Sequence, residues 1–167
     1  MIKEVSGDIL LTEAQAIAHG VAPNDHFTSG LALSLREKHP TMYKDFRHYC
    51  HSAHVEPGGV CMWGGVGGVR VFNLLTQEAP KGNHSHPGKA SIPNVNHALR
   101  QLAKQIKSEK ITSLAIPKLA TGVGGLDWEE VKPMIYARLG ELGIPVYIYS
   151  TFAKGEKAVE TGHAMKS

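Results

Sequence analysis

The sequence predicts an α/β fold, a sandwich of helices on a mixed sheet, and three observations carry that expectation. Short β-branched and apolar runs alternate with amphipathic helical stretches, the pattern of strands joined by helical crossovers. Residues 60–63 and 69–75 flank Gly64-Gly65-Val66-Gly67-Gly68, so one pair of strands forms a hairpin and the sheet is mixed. Towards each end of the chain a strand signal runs straight into a glycine-bearing turn, at Ser6-Gly7-Asp8-Ile9-Leu10 and at Pro117-Lys118-Leu119-Ala120-Thr121-Gly122-Val123-Gly124-Gly125.

Each element follows from its own residues. Residues 2–5 form a first strand, turned by Gly7-Asp8. Residues 14–21 are apolar with small side chains and predict a buried strand that ends at His19-Gly20. Residues 22–30 are turn formers and hydroxyls, a polar loop. Leu31, Leu33 and Leu35 lie in a short helix over 31–38, stopped by Pro40, and residues 41–51 make a second helix with Met42, Phe46 and Tyr49 on one face. The hairpin follows Pro57-Gly58-Gly59. Residues 76–91 are a long loop rich in Gly, Pro, His and Lys, of the kind that is either functional or unstructured in a compact domain. Residues 94–110 are amphipathic, with Val95, Leu99, Leu102 and Ile106 in one stripe. A buried strand over 113–117, a helix over 128–142 stopped by Gly143, and a strand over 146–150 complete the pattern. Residues 153–167 lack apolar periodicity and are expected to be a flexible C-terminal tail, leaving one domain over 1–152.

Composition narrows the function. With 167 residues, 42% of them hydrophobic and 20% charged, the chain suits one soluble domain with a full core. No apolar run is long enough for a membrane span and the start lacks a signal-peptide pattern, so a cytoplasmic location without a membrane partner is expected. Cys50 and Cys61 make no disulfide framework. A net charge of +3 with ten histidines favours an anionic ligand without by itself indicating nucleic acid. A glycine turn that opens a helix points backbone N–H groups outward beside a partial positive charge, which suits a phosphate or diphosphate. An aspartate after a distant strand suits the sugar or base end of the same molecule, so a nucleotide-type ligand is the first expectation. The glycines at 64–68 are not read this way, because no helix signal follows them.

Gly7-Asp8-Ile9, the loop into Ser29-Gly30-Leu31-Ala32, the strand and loop over 116–122, and the helix start at 125–128 together resemble a macrodomain across residues 2–152. The similarity is to the branch containing terminal ADP-ribose glycohydrolases, the antitoxin that removes ADP-ribose from DNA, and the yeast ADP-ribose-1″-phosphate phosphatase. It implies a three-layer α/β/α sandwich on a mixed central sheet, with ADP-ribose as ligand. Under the resemblance, Asp8 accepts a hydrogen bond from the adenine amino group, and Ile9 beside it offers a backbone N–H to the ring, with Gly7 preceding them. Ala120, Thr121, Gly122, Val123, Gly124 and Gly125 form the diphosphate loop. Ser29 and Gly30 form the first phosphate-contacting loop, Asn24 meets a ribose hydroxyl, Thr76 is a further contact, and Phe152 lies near adenine. From the residues alone, Asp8 also suits a turn or cap acid, residues 121–125 an ordinary turn, and Phe152 a core position.

For catalysis the resemblance is incomplete. Ester- and nucleobase-cleaving members carry a lysine where this chain has Gln77, and the ester hydrolases an aspartate where Gly124 stands. A glutamine supplies neither an amine nucleophile nor a proton acceptor. Asp25 and His26, in the loop that approaches the distal ribose in this family, are the catalytic candidates, a pair able to position water and move a proton. Their alternative is a solvated polar loop. His19 reads as a satisfied buried histidine, and His84-Ser85-His86 as a lid or solvated loop rather than a zinc site. No metal or cofactor is expected. The expected function is hydrolysis of an ADP-ribose derivative, either an ADP-ribosyl linkage on protein or nucleic acid or ADP-ribose-1″-phosphate. The alternatives are a non-catalytic ADP-ribose reader, or a single-strand binder using Arg100, Lys104, Lys107 and Lys110.

Overall fold

Alternation along the strands sends successive side chains to opposite faces of one sheet, and helices cover both. The computed structural model describes residues 1–81 and 87–160. Its strands are β1 (Ile2–Gly7), β2 (Ala16–Val21), β3 (Val60–Gly64), β4 (Arg70–Leu75), β5 (Leu114–Pro117) and β6 (Val146–Phe152), in the order β1-β6-β5-β2-β4-β3. All neighbours are parallel except β3 and β4, which form the expected antiparallel hairpin. The helices are α1 (Gly30–Lys38), α2 (Pro40–Ser52), α3 (Ile92–Ser108) and α4 (Trp128–Leu139).

Ala16 and Ala18 of β2, Phe72 and Leu74 of β4, and Val146 and Ile148 of β6 meet Leu99 and Leu102 of α3 and Val131 and Ile135 of α4. Their strand neighbours Ile17, Val21, Val71, Leu75, Tyr147 and Tyr149 face the other way, against Leu35 of α1 and Met42 and Phe46 of α2. The result is the expected three-layer sandwich. Helix boundaries move by a few residues. Ser91 caps α3 by accepting from the Asn94 amide at 3.2 Å, which starts it at Ile92, and α4 ends at Leu139, before Gly143 with its φ of 75°. No described helix is long and apolar enough to cross a membrane.

The boundary at 152 is corrected over residues 153–160, which fold back onto the first strand rather than trail from the last. The Ala153 amide donates to Gly7 O (3.1 Å), the Asp8 amide to Glu156 O (2.7 Å), and the Gly155 amide to an Asp8 carboxylate oxygen (3.0 Å). Ala158 is buried. Glu160 is buried too, and its carboxylate accepts from Thr12 Oγ1 (2.5 Å), the Glu13 amide (3.0 Å) and the Tyr149 hydroxyl. Burial, then the bond to Glu160, pushes the Tyr149 phenol up, so it keeps the proton it donates. Residues 161–167 of the expected tail lie outside the described residues.

Glu160→Ala removes the acceptor for two part-buried donors, Thr12 Oγ1 and the Glu13 amide, and for the buried Tyr149 hydroxyl. It is expected to lower stability by about 1–3 kcal/mol, the cost of stranding buried polar groups. An unchanged urea midpoint would contradict the tether.

Candidate functional site

Because β1, β6, β5 and β2 run parallel, their carboxyl ends and the loops leaving them gather along one edge of the sheet. Ligands of open α/β sheets bind at such an edge. The loop after β2 is held in a fixed shape there. The Asp25 carboxylate, buried, accepts from the Ala22 amide at 3.0 Å and the Phe27 amide at 2.9 Å. Arg47 Nη1 donates to Asn24 O (2.7 Å) and Arg36 Nη1 to His26 O (3.0 Å). Asn24 and Phe27 have φ of 57° and 51°, and the fully buried Phe27 ring anchors the strained turn among Phe46, Tyr43 and His19.

This loop walls a cleft of about 500 Å³ together with the start of α1 and the loop after β5. Two backbone segments with unbonded N–H groups border it. Ser29 is the N-cap residue of α1 but makes no side-chain cap bond, so the first amides of that helix, beginning at Gly30 with φ of 61°, have no acceptor among the described residues. Across the cleft, the amides of residues 121–124 have no acceptor among the described residues, while the Gly125 and Leu126 amides close the turn onto Gly122 O and Ala120 O. Ala120 holds a φ of 64°, and a Cβ on Gly124 would stand 2.6 Å from Ala120 O, so this turn accepts no side chain there. Gly20 forms part of the lining; a Cβ on it would lie 2.8 Å from the buried Oγ1 of Thr76, which has no partner among the described residues.

Of the residues singled out from sequence, Asp25, Ser29, Gly30, Ala120, Gly122, Val123 and Gly124 line this cleft. Thr121 and Gly125 shape its loop, with Thr121 Oγ1 donating to Lys118 O (2.8 Å), and Thr76 lies fully buried. Gly7, Asp8, Ile9 and Phe152 sit apart from the lining, on the same sheet edge. Gly7 pairs with Phe152 in the β1–β6 register, and β1 stands two strand spacings from β5, about 10 Å. Phe152 is 71% exposed, which excludes a core role. Ile9 is buried, and the Asp8 carboxylate accepts from the Leu10 amide (3.0 Å) as well as from Gly155, so it does serve as a turn acid.

The expected Asp25–His26 pair is corrected. His26 and Asn24 line a different cleft, of about 490 Å³, beside Arg47, Cys50, His51, His54 and Lys81. The turn fixed by the Asp25 clamp sends consecutive side chains to opposite sides. Gln77 lines the first cleft and is buried there, its amide donating to Gly88 O at 3.0 Å, so no amine stands at that place. His84 and His86 lie outside the described residues. Lys118, Thr28, Leu31 and Ala32 also line the first cleft. Of these, Lys118 was legible as the cation beside a glycine loop.

His19 closes the floor. Asn73 donates its own amide to Cys61 O (3.2 Å), so its oxygen is left to accept from His19 Nε2–H at 2.6 Å. Burial holds this imidazole down at about 4, against smaller upward pulls from Asn73 and Asp25.

A family model of the Macro domain matches residues 15–135. A DNA ADP-ribosyl glycohydrolase of Thermus aquaticus is 29% identical over 153 residues, covering 89% of this chain and 41% of that protein. One of Mycobacterium tuberculosis is 26% identical over 167 residues, covering 96% and 45%. The chain thus spans less than half the length of these curated relatives. The macrodomain of Thermus aquaticus DarG superposes with a TM-score of 0.78 at 26% identity, covering 90% of this chain and 98% of that one. Thermosipho africanus DarTG in complex with ADP-ribose superposes at 0.79 with 24% identity, covering 93% and 42%, a likeness of fold.

His19 supplies a pH test. Its folded value lies below the ordinary 6.5, so the unfolded chain binds the extra proton between the two. The stability contributed by neutral His19 is complete above pH 6.5 and is lost as pH falls towards 4, by about 3 kcal/mol in all. Urea titrations of the wild type and His19→Gln across this window should diverge in slope; parallel curves would contradict a buried neutral imidazole.

Proposed function

The chain belongs to the Macro domain family, and from that membership and its cleft we propose that it binds ADP-ribose and hydrolyses the bond joining an ADP-ribosyl group to DNA. The observation that supports the reading is that two segments whose amides lack an acceptor among the described residues, the start of α1 and the turn over 121–124, border one cleft. A diphosphate between them meets N–H donors on both sides and the positive end of a helix. Lys118 adds a charge at the same place. The relatives' description as DNA ADP-ribosyl glycohydrolases supports the linkage.

In this reading the adenosine end runs along the sheet edge towards β1. Each Asp8 oxygen accepts one backbone amide and keeps a second lone pair for the adenine amino group, and exposed Phe152 offers a ring face beside it. The distal ribose then reaches the Asp25 loop. Gln77 rules out an amine nucleophile at its place, so the attack falls to water. The Asp25 carboxylate orients that water and takes one of its protons, the water oxygen bonds to C1″ as the bond to the base breaks, the base leaves with that electron pair, and the proton held by Asp25 then passes to the base, restoring the carboxylate. We place this activity in the cytoplasm, a reducing compartment that suits the free thiols of Cys50 and Cys61.

Gln77 also favours a second reading, a reader that holds ADP-ribose without cleaving it. Turnover of an ADP-ribosylated oligonucleotide decides between them: release of ADP-ribose supports hydrolysis, and calorimetric binding without release supports the reader.

Two variants test the site itself. A Cβ at Gly122 meets nothing within 4 Å, so Gly122→Val should fold normally while filling the cleft. It is expected to weaken ADP-ribose binding by about tenfold or more, at least about 1.4 kcal/mol by calorimetry. Wild-type affinity would remove the 121–124 amides from the site. Asp25→Asn should lower kcat on the oligonucleotide by about a hundredfold, the lower range for a lost general base. Unchanged turnover would exclude Asp25 from the reaction.

A further inference from the structure

The second cleft is not used by the proposed binding of ADP-ribose, and its chemistry differs from that of the first. Its cationic and imidazole side chains are Arg47, Lys81, His26, His51 and His54, and no aspartate or glutamate is among the described residues lining it. Arg47 is fixed within it. One guanidinium nitrogen is tied to Asn24 O at 2.7 Å and the other approaches His51 Nε2 at 3.4 Å. Two of its five N–H donors are thereby engaged, and the others have no acceptor among the described residues, in a planar fork suited to phosphate oxygens.

Position adds to composition. The same two segments border both clefts. In the loop after β2, Asp25 and Thr28 face the first cleft, Asn24 and His26 the second; in the loop after β4, Gln77 and Pro87 face the first, Pro80 and Lys81 the second. The cleft lies next to the loop that the distal ribose reaches in the proposed function, which is where the group bearing the ADP-ribose must emerge. The basic stripe of Arg100, Lys104 and Lys107 on α3 belongs to the helix layer on the opposite face of the sheet from α2.

We propose that this second cleft holds the phosphodiester backbone of the nucleic acid strand whose ADP-ribosyl group occupies the first cleft. The assignment rests on the proposed function and extends it to the part of the substrate beyond the scissile bond. With a net charge of only +3, the chain gains its contact with a polyanion from this local cluster rather than from its overall field.

The test measures binding of an unmodified single-stranded oligonucleotide against salt, alongside calorimetry with free ADP-ribose. Arg47→Gln, Lys81→Glu and the charge-preserving Arg47→Lys are compared with the wild type. Lys81→Glu and Arg47→Gln should each weaken oligonucleotide binding by about tenfold at low salt and flatten the plot of log K against log salt by about 0.7 per lost phosphate contact. Arg47→Lys should restore most of the slope. Free ADP-ribose affinity should stay at wild-type level in Lys81→Glu, whose exposed side chain is clear of the loop clamp.

Cleavage of an ADP-ribosylated oligonucleotide should fall with the oligonucleotide affinity, and cleavage of an ADP-ribosylated polypeptide should not. Wild-type affinity and slope in Lys81→Glu and Arg47→Gln would overturn the proposal, as would an equal loss on the polypeptide. Failure of the wild type to bind free ADP-ribose would instead strike the proposed function. The oligonucleotide titrations would still judge this cleft.

Discussion

One buried carboxylate shapes the working edge of this molecule. Asp25 accepts two backbone amides of its own loop, from Ala22 and Phe27, and so bends the chain through two residues of positive φ. Left-handed backbone at Asn24 and Phe27 costs on the order of 1–3 kcal/mol each. Hydrogen bonds to an ionised group contribute about 1.5–3 kcal/mol each, and burial of the Phe27 ring adds to them. The clamp therefore holds a turn that local preference would not. The partition of side chains between two clefts follows from that turn: Asp25 to one side, Asn24 and His26 to the other.

The opposite wall is set by absence of side chain. Gly124 stands too close to Ala120 O for a Cβ, and Gly122 leaves the approach to the loop amides open. The wall can face the clamp because β2 and β5 are hydrogen-bonded parallel neighbours, so the loops leaving their carboxyl ends stand side by side. Sheet topology thus brings Asp25 and Gly124 together, ninety-nine residues apart in sequence. The same edge continues over β6 to β1, which places the Asp8 turn in line with the cleft in the proposed binding mode.

Periodicity made most of the architecture legible. Alternation in β4 and β6, the stripe of Val95, Leu99, Leu102 and Ile106, and the glycines before Val69 each report a local preference that the packed structure keeps. The two glycine-bearing turns were legible because close backbone approach requires a residue type. What stayed hidden depends on partners distant in the chain. Nothing in residues 153–160 announces that Gly155 meets Asp8 or that Glu160 meets Thr12, since each pair lies nearly a full chain length apart. The direction of His26 was equally out of reach, because adjacency to Asp25 says nothing about a turn whose handedness is set by hydrogen bonds. Burial of Gln77 against Gly88 likewise depends on how the loop after β4 closes, through the Gln77–Ala90 bridge.

Gly7 has a φ of 158°, close to ordinary extended backbone, yet a Cβ there would come within 2.9 Å of Ala158 and Glu156 O. The returning chain end, not any bound molecule, leaves no volume at this position. A saturation screen scored by nucleotide affinity would rank Gly7 beside Gly122 and Gly124, although its substitutions act by prising the last described residues away from the first strand. Protease sensitivity beyond residue 152 would tell the two kinds of glycine apart.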